Sequence, residues 1–340
     1  MAVSSIKIAL GLALSSCVLL GVASTACSAG PATPSTPTTP DYPTKPITMI
    51  VPYAAGGGAD ISARVLAKYL SPKWGQDIAV TNLAGASGAI GTSKMIGSAP
   101  DGYTMMMDAM SSSSMLAAAW EKLPFPKWDD RTFIARITVD PIFFMVNKDS
   151  PWKTVKEMVD DVKSKKVTLK WGTSGVGASS FFSGVMLFDA TGIPYADVAQ
   201  VQLEGGAAIV TNLAGGHIDM GSLQLSEMFG PTQSGAIRPL AVVSPERLKQ
   251  FPNVPTIKEA GYDFFITGWQ GVSGPAKLPD YVVKKWEKVT EEMANDPEYK
   301  KKVEALHSDV QYLNSKDCTK FVYEEAKYYT ELAKRIGLRK

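Results

Sequence analysis

Three short segments hold the backbone and side chains best suited to chemistry. Val51-Pro52-Tyr53-Ala54-Ala55-Gly56-Gly57-Gly58-Ala59-Asp60 lies between an apolar run and a helical pattern. Gly85-Ala86-Ser87-Gly88-Ala89-Ile90-Gly91 follows a second apolar run, and Gly172-Thr173-Ser174-Gly175-Val176-Gly177-Ala178-Ser179-Ser180 follows a third. Glycines let a backbone come close to a ligand, and a helix N-terminus offers free N–H groups and the positive end of a dipole. That combination suits an anion, and the hydroxyls of the third loop add further hydrogen-bonding groups. No Gly-Lys-Ser/Thr follows the first loop and GxGxxG does not fit it, so it is not a nucleotide loop. Asp60 is expected to cap the helix while touching a donor on the ligand. Taken alone, each loop also reads as an ordinary glycine turn, and for the second and third that reading is the stronger one. Three of them at strand ends, each leading into a helix, match the ligand-binding edge of an open α/β sheet.

Other chemistries find little support. No GxSxG elbow, HExxH, CxxC or EF-hand loop occurs in the chain. There are two histidines, His217 and His307. His217 is expected in a helix–strand turn, and His307 in a charged C-terminal helix facing solvent. No catalytic residue, metal site or cofactor is expected. Lys and Arg number 35 against 33 Asp and Glu, which gives no electrostatic footprint for nucleic acid.

The elements that must position the loops alternate. Strands are expected at 47–51, 78–81, 105–107, 142–146, 169–171, 240–243 and 264–267. Helices are expected at 61–70, 154–163, 181–191, 207–213, 281–294, 297–306 and 316–334. Thr154 with Glu157 forms a capping box. Such alternation implies α/β layers with parallel sheets.

The N-terminus reads as an export signal over 1–26. Lys7 precedes an uncharged stretch that ends in Ala23, Ser24, Thr25 and Ala26. Cys27 then resembles a bacterial lipoprotein acceptor, the alternative being simple cleavage near Ala26 or Ala29. Prolines at 31, 34, 37, 40, 43 and 46, interleaved with Thr and Ser, give an extended tether over 27–42. With Cys17 lost and Cys27 lipidated, Cys318 remains alone and is expected to pack on a C-terminal helix.

One resemblance runs through nearly everything after Pro43. Val51-Pro52-Tyr53-Ala54-x-Gly56-Gly57-x-x-Asp60 is followed by Gly88-x-x-Gly91, Pro100-Asp101-Gly102-Tyr103-Thr104 and Gly172-x-Ser174-Gly175-x-Gly177. Leu213-Ala214-Gly215-Gly216-x-Ile218-Asp219, Asn253-Val254-Pro255-Thr256-x-x-Glu259-Ala260-Gly261 and Trp269-x-Gly271 continue it. In this order the segments resemble the solute-binding proteins of tripartite tricarboxylate transporters, the Bug family.

The resemblance implies an α/β fold of two domains that close like a flytrap, as in periplasmic binding proteins, with the ligand in the cleft between them. Domain 1 is expected at 43–143 plus 266–340, and domain 2 at 144–265. Family ligands are mostly carboxylates, held by backbone N–H groups and bridging waters more than by Arg or Lys. By position, the site takes Tyr53, Ala54, Gly57, Gly58 and Asp60 from the first loop, with Gly88 and Ser111 from the same domain. Thr173, Ser174, Gly177, Ser179 and Ser180 come from the second domain. The expected partners are a small-molecule carboxylate and membrane transporter subunits. The protein is expected to be an extracytoplasmic, lipid-anchored monomer and not an enzyme. An enzyme acting on an anionic metabolite and a ligand-sensing partner of a sensor kinase are the alternatives.

The second domain departs from the family pattern. Phe181 stands where His is common, Leu203-Glu204-Gly205 where Tyr-Lys-Gly is common, and Ser222-Leu223 where Phe-Asp is common. If Phe181, Leu203 and Leu223 face the cleft, its wall is more apolar. Glu204 in place of Lys disfavours a third carboxylate. Together they predict a ligand with one or two carboxylates and an apolar, even aromatic, body. In the alternative, Phe181 and Leu223 simply pack in the core.

Overall fold

The computed structural model describes residues 40–338 apart from 121, 124 and 126. The export signal, Cys27 and the tether up to residue 39 lie outside the described residues. The described chain enters the fold at Tyr42, which is buried. Its hydroxyl donates to Gly102 O at 2.6 Å and accepts from Trp286 Nε1 at 2.8 Å.

The first part of the chain builds one half of a large mixed sheet. β1 (Ile47–Val51), β2 (Ile78–Asn82) and β3 (Thr104–Ala109) are parallel, with α1 (Gly58–Trp74) and α2 (Ala89–Ile96) as their connections. β1 is apolar and buried except at the half-buried Thr48, because it is covered on both faces, as expected of a central parallel strand. β9 (Thr267–Pro275) joins antiparallel to β3, and β4 (Arg131–Asn147) joins antiparallel to β9. α8 (Asp280–Asn295), α9 (Pro297–Ala305) and β10 (Asp309–Leu313) complete this half, with β10 antiparallel to β4.

β4 then carries the chain into the second half. Its pairing with β9 ends at Pro141, and its pairing with β7 (Met220–Gln224) begins at Ile142. β5 (Lys170–Thr173) lies parallel between β7 and β6 (Ala199–Gln202). β8 (Ile237–Val242) pairs antiparallel with the end of β4. α4 (Val155–Lys163), α5 (Ser179–Thr191), α6 (Gly205–Ala214) and α7 (Leu225–Gln233) pack on this half. The Thr154 capping box is present, with Glu157 N bonded to Thr154 Oγ1 at 3.1 Å.

α3 (Ser114–Ala119) and α10 (Ser315–Arg335) straddle the halves. Ser114 of α3 donates to Glu325 of α10 at 3.0 Å, while Arg335 at the far end of α10 is paired with Asp189 of α5. Cys318 is buried on α10 as a free thiol, as the sequence predicts.

Parallel pairing therefore holds for the strands that carry the glycine loops but not for the sheet as a whole. The strand expected at 142–146 is the end of a 17-residue strand, and the one expected at 264–267 begins only at Thr267. β6, β7, β10, α3 and α7 are not anticipated from the sequence, and α2 is anticipated only as the helix that the second glycine loop leads into.

Candidate functional site

The three glycine loops do lie at carboxyl ends of parallel strands, and the fold brings them together. In the first loop, Gly57 is the residue preceding α1, and Asp60 lies within the first turn of the helix, buried. The expectation that Asp60 caps the helix is therefore corrected. Its Oδ2 accepts from Gly56 N at 2.9 Å and Arg64 Nε at 3.0 Å, and its Oδ1 accepts from Asn82 Nδ2 at 3.0 Å. Desolvation would raise its pKa, but these donors outweigh it and hold the carboxyl below its ordinary value. With its oxygens so occupied, Asp60 shapes the loop. Ala54 is exposed, and Gly57 and Gly58 are half-buried.

The second loop packs against the first. A Cβ at Gly91 would lie 2.8 Å from Pro52 Cα, so only glycine permits this approach. Tyr53 reaches under Gly88, where a Cβ would stand 3.2 Å from the phenol oxygen. That oxygen is enclosed beside the Ser111 and Ser112 hydroxyls, and burial pushes its pKa up although those hydroxyls oppose the shift. Beyond β3, Ser112 Oγ donates to Asp108 at 2.7 Å, and Asp108 is paired with the fully buried Arg131 at 3.1 Å.

The third loop belongs to the other half of the sheet yet touches the second. Ser87 Oγ donates to Val176 O at 2.8 Å. Ser179 N, the first N–H of α5, donates to Ser111 Oγ at 3.0 Å. Thr173 is fully buried, and its Oγ1 accepts from Gly175 N at 3.2 Å and Gln200 Nε2 at 2.9 Å. Ser180 Oγ accepts from Ser174 N at 2.9 Å. The hydroxyls of Thr173 and Ser180 thus build the loop, whereas Ser174 and Ser179 stay half-buried at its surface. Gly177, at φ +97°, passes beside Ser87 and Trp120, whose Nε1 is enclosed without a partner.

The apolar-wall expectation is corrected at two positions. Phe181 is fully buried with its ring stacked on Trp171, centroids 5.4 Å apart and planes at 27°. Leu223 packs with Phe143, Met145, Ile209 and Leu213. Both choose the core because their positions on α5 and β7 turn them toward the sheet interior. Leu203 is half-buried against the same cluster. Glu204 is exposed just before α6, and Gly205 opens that helix at φ +84°.

Sequence reasoning missed a second group. A Cβ on Gly58 would lie 3.1 Å from Gln224 Oε1, 3.5 Å from Gln270 Nε2 and 3.7 Å from Ser226 Oγ, so the start of α1 meets the start of α7. Asp140 of β4 accepts from Ser226 N at 3.3 Å and from its hydroxyl. Burial, with Glu227 nearby, pushes the Asp140 carboxyl up to about 7 despite those bonds. Glu227 is also raised by burial; its carboxylate accepts from Gln224 N at 3.0 Å and lies against Gly206. The junction was invisible because Gly221 and Ser222 interrupt the apolar run of β7.

The histidines divide. His217 is exposed in the turn before β7, as expected. His307 is not in a solvated helix: it follows α9 and stacks on Phe229 of α7.

Two sheet halves on shared strands, with glycine and serine loops meeting between them, define a receptor of the solute-binding class. The model of the tripartite tricarboxylate transporter family receptor matches residues 62–338. The chain belongs to that family. It is 31% identical over 253 residues to the UPF0065 protein in the TAR-I ttuE-ttuC' intergenic region of Agrobacterium vitis, covering 74% of this chain and 72% of that protein. The structure of the periplasmic binding protein BugD superposes with a TM-score of 0.79 at 28% identity, over 88% of this chain and 99% of BugD. R. palustris Rpa4515, solved with adipate, gives a TM-score of 0.80 at 25% identity, over 87% of this chain and 99% of its own. These relatives place the chain among periplasmic binding proteins with a two-domain flytrap fold. Among the described residues, no helix is long and apolar enough to cross a membrane.

Proposed function

We propose that this receptor captures a small organic carboxylate outside the cytoplasm and delivers it, unconverted, to a tripartite transporter in the membrane. The observation that carries the reading is the meeting of Ser179 N, at the start of α5, with Ser111 Oγ of the facing half. A helix N-terminus presents an oxygen acceptor there with a donor, at the join between the halves, where a carboxylate oxygen would be held in the same way. Trp120 adds an enclosed indole N–H without a partner beside the same loops. The cations Arg64 and Arg131 are bonded to Asp60 and Asp108, so the anion would be met by neutral donors.

Domain limits of 43–143 plus 266–340 and 144–265 are supported by the hand-over of β4 from β9 to β7 at Pro141 and Ile142. With Phe181 and Leu223 in the core, the case for an aromatic body falls away. Glu204 still argues against a third carboxylate, and one or two are proposed. Adipate bound to the R. palustris relative is consistent with that class. Export and lipid attachment at Cys27 rest on the sequence alone, and the protein is proposed to act as a monomer.

A thermal-shift screen of mono-, di- and tricarboxylates tests the reading, because a ligand that binds only the folded state raises its melting temperature. Stabilisation by mono- or dicarboxylates is the expected result. Stabilisation by neutral sugars alone, or chemical conversion of a bound carboxylate, would overturn it.

A further inference from the structure

The turn that ends α9 carries a side chain that the three loops do not explain. His307 follows the helix, its N–H bonded to Glu304 O at 2.9 Å and its φ at +61°. Helices commonly place glycine in that left-handed conformation, since a Cβ is crowded there. A residue with a ring stands here instead, and the ring has a partner. The imidazole lies flat on Phe229 of α7, with centroids 3.6 Å apart and planes at 17°. Burial lowers the imidazole pKa, which favours the uncharged ring at neutral pH.

The two rings come from different halves of the sheet. Phe229 packs edge-on against Phe251, whose ring meets Phe143 in the second half. His307 lies between α9 and β10, and β10 pairs with β4 at Arg136, Thr138 and Val139 in the first half. Its neighbours Leu306 and Ser308 line a cavity of about 20 Å³ with Gly58 and Ser226. The stack therefore stands beside the meeting of α1 with α7. It is separate from the Ser87–Val176 and Ser111–Ser179 contacts of the glycine loops.

We propose that the His307–Phe229 stack is a clasp that holds the two halves together from outside the loops, making His307 a positioning residue for ligand capture. The proposal rests on the reading of the inter-half cleft as the binding site. Once the rings part, the halves keep their shared strands but lose this lateral tie.

Small-angle scattering of the ligand-free protein tests the clasp. His307→Gly removes the ring and relieves the left-handed backbone, so the melting temperature should hold or rise while the radius of gyration increases. Phe229→Ala should give the same expansion, and the double variant no more than either single one. Phe229→Tyr keeps a flat ring and should restore the wild-type profile. A purely local role for His307 predicts scattering from His307→Gly indistinguishable from wild type, and that result would overturn the proposal. No ligand enters the measurement, so a failed carboxylate reading cannot mimic a failed clasp.

Discussion

Replacing Gly57 with phenylalanine should separate binding from folding. Gly57 has φ −82° and ψ 169°, an extended conformation open to any residue. A Cβ there would meet only Ala54 O, at 3.8 Å, an ordinary contact. The neighbouring Gly58 is less suitable, because its Cβ would come within 3.1 Å of Gln224 Oε1. Gly57 also precedes α1, where glycine is a better cap than an apolar residue; losing it costs on the order of 1 kcal/mol at most. That corresponds to a fall in melting temperature of about 2–4 °C. Gly57→Ser supplies a capping hydroxyl with little bulk and serves as the control. If the ligand lies against this loop, the phenylalanine ring takes its place. Losing one or two hydrogen bonds to a charged ligand, at about 1.5–3 kcal/mol each, weakens binding by tenfold or more. Calorimetric titration with a carboxylate identified by thermal shift reads the effect. A Gly57→Phe protein that binds within about twofold of wild type, equivalent to well under 1 kcal/mol, would refute the placement of the ligand on the first loop.

Three further outcomes follow from particular contacts. Phe181→Ala should lower stability by about 3–5 kcal/mol, read by denaturant unfolding, because the ring is fully buried on Trp171. A Cβ at Gly206 would fall 2.3 Å from Glu227 Oε1, so Gly206→Ala should destabilise by about 1–3 kcal/mol, and much less in a Glu227→Ala background, as a double-mutant cycle would show. Asp140 and Glu325 are both pushed up to about 7 by burial, so the native state holds protons that the unfolded chain releases near pH 4. Their contribution is complete below the unfolded values and is lost as pH rises through 7; melting temperatures between pH 5 and 8 should fall, and less steeply in Asp140→Asn and Glu325→Gln.

The loops were legible because glycine, serine and helix-start patterns are local properties, and all three loops stand where the sequence put them. The strands that join the halves were not. β4 is broken in sequence by Arg136, Asp140 and Pro141, so only its last apolar run stood out. β9 contains Gly268, Gly271 and Gly274 and has no apolar run. Gly271 is there because a Cβ would lie 2.2 Å from Ala135 O of the neighbouring strand. α7 was hidden by Gly230 and Pro231. Phe181 shows a different limit: its distance from the serine loop fixes its place on α5 but not the face it presents. His307 shows another, since its charged neighbours suggested solvent while its partner lies 78 residues earlier in the chain.

The most direct measurement of the central claim is calorimetric titration of the purified protein with a carboxylate series that includes adipate, benzoate and citrate, with the solutes recovered afterwards for analysis. The account predicts saturable binding of at least one mono- or dicarboxylate at one site per chain, with citrate weaker and every solute recovered unchanged. Tight citrate binding with no response to the smaller acids, or recovery of a converted product, would contradict it.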